Sequence, residues 1–328
     1  MKKLVVGFMM LLIFALSGCG NSENIDANDA ANTATVGDSI VEAEHLISAV
    51  ETDYEASAVT EAASSEDSVE EENTPKTDPE IITLDFVDVF GEHYETTINP
   101  DVPKHDYTDE SFIHDGYKLS YEDANYTSRL GIDVSRHQGK INWEEVKSQG
   151  IEFAFIRVGF RGYGKAGNIK IDQRFYENIE EAQKAGIDVG VYFFSQAINE
   201  EEALEEAKFV IDSLEGYTLQ LPVVYDPESI LDDVARTDDV SGEQFTKNTR
   251  AFCDSIRENG YEAMIYSNML WEAFELDLSQ LKDIPVWYAD YEEFPQTPYH
   301  FEFWQYTNEG RVSGIDGDMD FDIQIIRK

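Results

Sequence analysis

The chain has 328 residues, 42% of them hydrophobic, and its 67 Asp and Glu outnumber 24 Lys and Arg to give a formal charge of −43. Such an excess of acid repels nucleic acid and anionic lipid headgroups, which excludes both as electrostatic partners. The length accommodates one large domain with additions, and the two cysteines, Cys19 and Cys253, sit in contexts too different to form a disulfide framework.

Residues 1–19 read as a secretion signal: Lys2 and Lys3 precede an apolar stretch from Leu4 to Leu16 that closes in Leu16-Ser17-Gly18-Cys19. That close resembles the lipobox of bacterial lipoproteins. The resemblance implies cleavage before Cys19, lipidation of Cys19 and an extracytoplasmic protein anchored to the membrane through its N-terminal lipid. Residues 20–80 carry 17 acidic residues against the single basic Lys76, with Tyr54 as their one aromatic residue, and are expected to be a disordered acidic linker. A self-repelling coil of about 60 residues spans ~40–45 Å or more, enough for a tether. Within it, residues 39–50 have the apolar content of a transient helix.

Composition changes at Ile81. Ile82, Leu84, Phe86, Val87, Val89 and Phe90, then Gly91-Glu92 and a second short run to Ile98, predict a β-hairpin with a glycine turn. Residues 99–127, rich in Tyr and Asp, read as an extended arm packed on the following domain. The segment 81–128 is therefore a hairpin and arm in front of a larger domain at 129–328, and together they retain a formal charge of about −29 once the linker's −16 and the signal's +2 are removed from −43.

From Arg129 strands alternate with helices. Strands are predicted at 130–134, 153–158, 189–194, 223–225 and 263–267, and helices with apolar residues at 3.6-residue spacing at 142–148, 173–185, 200–214 and 242–259. Three further strands, 286–289, 301–306 and 319–325, follow without full helices. The fold class is thus α/β, an irregular TIM-like barrel of five βα units closed by three strands, with function at the carboxyl ends of its strands.

One strand ends unusually. The apolar run Leu221-Pro222-Val223-Val224-Tyr225 stops in Asp226-Pro227-Glu228, and in an extended chain Asp226 and Glu228 leave the same face with Cα atoms ~6–7 Å apart. Two carboxylates sharing one site cannot both ionise freely, so one is held protonated as a general acid while the other stays charged. Glycosidic bond cleavage needs that division of labour. The glycines at 159, 162, 164 and 167 form a cleft-edge loop without the Lys-Ser/Thr ending of a phosphate site. The six histidines are scattered, so no metal is implied, and His137 is the one near the proposed site. Cys253 is expected to be a buried apolar filler.

Gly131-Ile132-Asp133-Val134-Ser135-Arg136-His137-Gln138-Gly139, Tyr225-Asp226-Pro227-Glu228, Trp304-Gln305-Tyr306 and Gly314-Ile315-Asp316-Gly317-Asp318-Met319-Asp320 together resemble the family 25 glycoside hydrolases, lysozymes that cleave peptidoglycan. The resemblance covers about 129–328. It implies a barrel of five helices and eight strands, no cofactor, and peptidoglycan glycan strands as the partner; a protein partner is not implied. It further implies Glu228 as acid/base, Asp226 as the residue that orients and polarises the substrate's N-acetyl group or stabilises the cationic transition state, and Asp133 and Asp320 as further cleft acids. The last is set against neighbouring Asp316, Asp318 and Asp322. Tyr192, Trp287 and Trp304, at strand ends, are the expected sugar-stacking residues. Two positions depart from the family pattern: Pro227 replaces an aliphatic residue, and Arg136 stands where a small or imidazole side chain is usual. The function implied is hydrolysis of the β-1,4 bond between N-acetylmuramic acid and N-acetylglucosamine, retaining and substrate-assisted. Competing readings are another N-acetylhexosaminidase such as a chitinase, whose longer acidic signature is absent before Asp226, and a non-catalytic wall-binding or adhesion lipoprotein, against which Glu228 stands.

Overall fold

The computed structural model describes residues 82–231 and 233–328. The signal with Cys19, the acidic linker and its short apolar segment at 39–50 lie outside the described residues. The chain first forms the expected hairpin, β1 (Thr83–Val87) against β2 (His93–Thr97), antiparallel with Phe86 opposite Tyr94. The arm that follows is not simply extended. It contains a second hairpin, β3 (Phe112–Asp115) and β4 (Lys118–Tyr121), whose two-residue loop is opened by Gly116 at φ 64°. Primed two-residue turns need positive φ at that first position, which glycine supplies without strain.

Eight strands then close a barrel. They are β5 (Tyr126–Val134), β6 (Phe153–Arg161), β8 (Asp188–Ser195), β9 (Val223–Pro227), β10 (Ala263–Asn268), β11 (Val286–Ala289), β12 (Phe303–Gly310) and β13 (Met319–Arg327). A short β7 (Ile169–Ile171) folds back antiparallel on β6, which makes the glycine-rich loop the connection of a hairpin. Neighbours from β5 to β12 are parallel, whereas β13 is antiparallel to both β12 and β5 and seals the barrel between them. The start of β13 therefore lies at the same rim as the ends of the other strands.

Helices α1 (Trp143–Ser148), α2 (Phe175–Lys184), α3 (Glu200–Ser213) and α4 (Gly242–Glu258) cover the parallel strands. Their starts follow from capping: Asn142, Asn199 and Ser241 each accept a backbone N–H from the first turn, replacing a bond the helix cannot make for itself. Beyond β10 come only a π-helical turn (Trp271–Glu275) and the four-residue α5 (Leu278–Leu281). The arm covers the outer face left there. Tyr107 Oη donates to the carbonyl of Phe301 at 2.8 Å, Tyr306 Oη donates to that of Tyr117 at 2.8 Å, and the Phe112 ring meets Trp304 edge-on at 5.2 Å.

Period-two alternation sorts the side chains into two cores. Phe153, Phe155, Tyr192, Val224, Met264, Trp287 and Phe303 fill the barrel interior, and the larger cluster lies between the barrel and its outer layer. Glycine makes the interior possible at two places. A Cβ on Gly131 would sit 2.3 Å from the Phe153 ring, and one on Gly190 would sit 2.5 Å from Phe155. Cys253, fully buried in α4, is the filler expected, and burial pushes its thiol up to about 12.

Candidate active site

The interior phenylalanines stop short of one rim, where inward positions become polar. Asp133 ends β5, Arg157 lies on β6, Tyr192 and Phe194 on β8, Asp226 on β9 with Glu228 one residue beyond it, Tyr266 on β10, Trp287 on β11, Gln305 on β12 and Asp320 on β13. All ten line one cavity of ≈ 320 Å³. Its floor is aromatic: Trp287 is stacked on Phe155 below it at 4.5 Å and meets Tyr192 and Tyr266 edge-on at 6.0 and 4.9 Å.

The predicted acids Glu228, Asp226, Asp133 and Asp320 are thus brought together, with Tyr192 and Trp287 beside them. Trp304 is not. Phe303 and Gln305 point into the barrel, so Trp304 between them must point out; it is fully buried against the arm, with its indole N–H donated to the carbonyl of Asp290 at 2.8 Å. The expectation that Trp304 stacks on sugar is corrected to a core role. Of the four C-terminal acids, Asp320 lines the cavity, Asp322 lies one layer deeper and accepts the Trp287 indole N–H at 2.8 Å, Asp318 pairs with Arg311 on the surface, and Asp316 is exposed.

Burial is the first influence on every acid here, since a carboxylate out of water loses hydration. Burial and then the charges of Asp320 and Asp322 push Asp133 well above the usual range, against the opposing bond from Gln305 Nε2 at 2.7 Å. Burial and the adjacent Glu228 raise Asp226. Burial raises Glu228 also, while its hydrogen bond with Asp226 and the positive charge of Arg157 pull it down. The protonation of the two carboxyls is therefore coupled, and the pair titrates as a unit. Asp320 is raised to about 6 by burial and by Glu228. One further detail bears on chemistry: Asp226 Oδ1 is buried and has no hydrogen-bond partner among the described residues.

Three cleft groups escaped the sequence reading. Gln305 ties the rim together, donating to Asp133 and accepting from Tyr266 Oη at 2.8 Å and Tyr291 Oη at 3.0 Å. Arg157 is fixed by Asp172, through Nε at 2.9 Å and Nη2 at 2.8 Å. Its signal was present, because it is the lone charge near the end of the apolar run Phe153-Ala154-Phe155-Ile156, the same kind of feature that marks Asp226. Tyr291, on the loop after β11, had no such signal.

The model of glycosyl hydrolases family 25 matches residues 132–315, more than half of the chain and the segment that carries every residue of this rim except Asp320. The chain belongs to family 25 of the glycosyl hydrolases. Among curated relatives it is 30% identical over 217 residues to Lysozyme M1 of Streptomyces globisporus, covering 60% of this chain and 68% of that protein. It is 26% identical over 193 residues to the autolytic lysozyme of Clostridium acetobutylicum, covering 58% of this chain. The match spans about half, 54%, of the latter's length. The modular autolysin LytC of Streptococcus pneumoniae shares the fold, with TM-score 0.53, 24% identity and coverage of 73% of this chain and 56% of that one. So does the spore cortex lytic enzyme SleM of Clostridium perfringens, with TM-score 0.51, 21% identity and coverage of 60% and 67%. An eight-stranded barrel with few helices is the form this family 25 chain takes.

Proposed function

We propose that the protein is a peptidoglycan muramidase that hydrolyses the β-1,4 bond between N-acetylmuramic acid and N-acetylglucosamine. The observation that carries the reading is the Asp226–Glu228 pair at the mouth of the barrel, above an aromatic floor, in a family 25 chain whose curated relatives include two lysozymes. Glu228, whose proton is favoured by burial, donates it to the glycosidic oxygen as the C1–O bond breaks. The carbonyl oxygen of the substrate's own N-acetyl group attacks C1 from the opposite face. Asp226 accepts the N–H of that group, a role suited to its buried, unpartnered Oδ1, and stabilises the positive charge that develops. Glu228, now ionised, takes a proton from water, which opens the cyclic intermediate and restores the original configuration. Asp133 and Asp320 complete the acidic rim, and Tyr192 and Trp287 support the sugar faces.

The protein would act outside the cytoplasm, held to the membrane by lipid on Cys19, with the acidic linker as its tether to the wall.

Digestion of purified peptidoglycan, with mass spectrometry of the new reducing ends, tests the activity. N-acetylmuramic acid is the expected reducing end, whereas N-acetylglucosamine ends would overturn the assignment. Glu228→Gln should lower the rate at least ~10²-fold with thermal unfolding unchanged, because a positioned general acid contributes ~10²–10⁴. Asp226→Asn should be severely impaired while still binding glycan.

A further inference from the structure

The barrel is strongly acidic, yet one side of the cleft is not. Arg136, in the turn after β5, and Arg157, on β6, both stack on the ring of Phe160, each with its guanidinium carbon 5.6 Å from the ring centroid. Two cations held on one ring repel each other unless a counter-charge is supplied. The structure supplies only one. Asp172, 2% exposed just beyond β7, holds Arg157 at two nitrogens and accepts the backbone N–H groups of Arg136 at 3.1 Å and Arg174 at 2.9 Å. Its oxygens are thereby committed. Among the described residues the Arg136 guanidinium has no carboxylate partner, a state that only Arg327, at the far end of β13, shares among the arginines. The side chain of Arg136 is exposed, and its neighbour His137 lines the cavity together with Arg157.

An unpaired arginine beside a second, rigidly held one leaves a net positive charge at the cleft edge, in a planar donor geometry that matches a carboxylate. We propose that Arg136 and Arg157, clamped on Phe160, form a subsite for a carboxylate carried by the muramoyl residue of the glycan. This inference rests on the muramidase reading. Two sources offer that chemistry: the free lactyl carboxylate of glycan stripped of its peptides, and the side-chain or terminal carboxylates of an attached stem peptide. The subsite would seat the charged substituent on the β5–β6 side of the cleft and so favour muramoyl chains over uncharged glycans of N-acetylglucosamine alone.

Binding isolates the subsite from catalysis. The full-length Glu228→Gln protein is titrated with glycan strands in two forms, stem peptides intact and peptides removed, each with carboxylates free or converted to methylamides. Conversion to the amide should raise Kd about fivefold for at least one form, the size expected of an exposed charge pair. Adding Arg136→Ala should raise Kd for the free carboxylate by a similar factor, leave the amide's unchanged and abolish the difference between them. Arg136→Lys should recover part of it. The form that shows the effect identifies which carboxylate is read. Equal affinity for acid and amide, loss of both alike in Arg136→Ala, or no binding at all would overturn the subsite. Carboxylate-dependent binding combined with no muramic acid ends from the unmutated protein would instead overturn the muramidase reading and leave the subsite standing.

Discussion

Asp320 and Asp133 are direct cross-strand partners, the one at the start of β13 and the other at the end of β5. Antiparallel partners lie about 4.5–5.5 Å apart at Cα, so reversing the last strand is what brings an acid from the C-terminal motif against one from the first. Their interaction is repulsive, and burial strengthens it by removing water between them. Asp320 in turn is raised by burial and by Glu228, whereas Asp133 is raised by burial and by Asp320, Asp322 and Asp226, with no contribution from Glu228. Of the two aspartates, Asp320 is therefore the one that interacts with the catalytic acid.

This ordering sets the first prediction. Activity requires protonated Glu228 and should fall as pH rises through the titration of the pair. Removing a negative neighbour eases ionisation of Glu228, so Asp320→Asn should move the alkaline limb of the pH–rate profile to lower pH. Removing the positive neighbour does the reverse, so Arg157→Met should move it to higher pH. Asp133→Asn should have the smaller effect of the two aspartates. A profile that moves upward in Asp320→Asn would refute the coupling.

The second prediction separates the two tryptophans. Trp304→Phe loses the bond to the Asp290 carbonyl and some contact with Phe112, a cost of ~1–2 kcal/mol, with a melting temperature lower by about 2–4 °C and an unchanged KM for glycan. Trp287→Phe also loses a hydrogen bond, to Asp322, but its ring is cleft floor, and KM should rise several-fold. A raised KM in Trp304→Phe would return that residue to the site.

These contrasts mark what was legible. The barrel strands were readable because parallel strands buried on both faces form continuous apolar runs. Asp226 and Glu228 were readable because they close such a run, whereas Asp133 and Asp320 were placed by the family motifs, the latter among three neighbouring aspartates. Trp304 was misplaced because its motif was taken without its phase: Trp304 and Gln305 are adjacent and cannot both face inward. The β3–β4 hairpin had a cue in Gly116, but it sits among polar residues whose packing depends on the bare outer face of β11 and β12. That face is a property of the closed barrel, and no local pattern in the arm records it.

The third prediction concerns Cys19, which lies outside the described residues. If it is lipidated, Cys19→Ala should release the protein from membranes while its hydrolytic rate in solution is retained. The acidic chain offers no electrostatic substitute for a lipid. Fractionation after a high-salt wash decides: mutant protein still sedimenting with membranes would refute lipid anchoring.

The fourth prediction lies outside the cleft. Glu272, in the π-helical turn after β10, is 7% exposed and accepts a hydrogen bond from Thr297 Oγ1 at 2.5 Å on the loop that also carries Tyr291. Burial, reinforced by the charge of Asp290, pushes its carboxyl up to about 8 from an ordinary 4.5. The folded state therefore holds a proton that the unfolded chain releases at much lower pH. By linkage, the stability this proton confers is fully present below pH ~4.5, falls as pH rises and levels off above about 8. Glu206, raised to about 7 by burial between Arg161 and Ser195, acts in the same direction over a narrower window. Glu272→Gln keeps the shape and a hydrogen-bonding partner for Thr297 but has no proton to lose. Measured against wild type, its melting temperature should gain steadily from pH 5 to 8 and stay constant above that. A difference independent of pH across this range would mean that Glu272 is ionised in the folded protein, with an unseen counter-charge beside it.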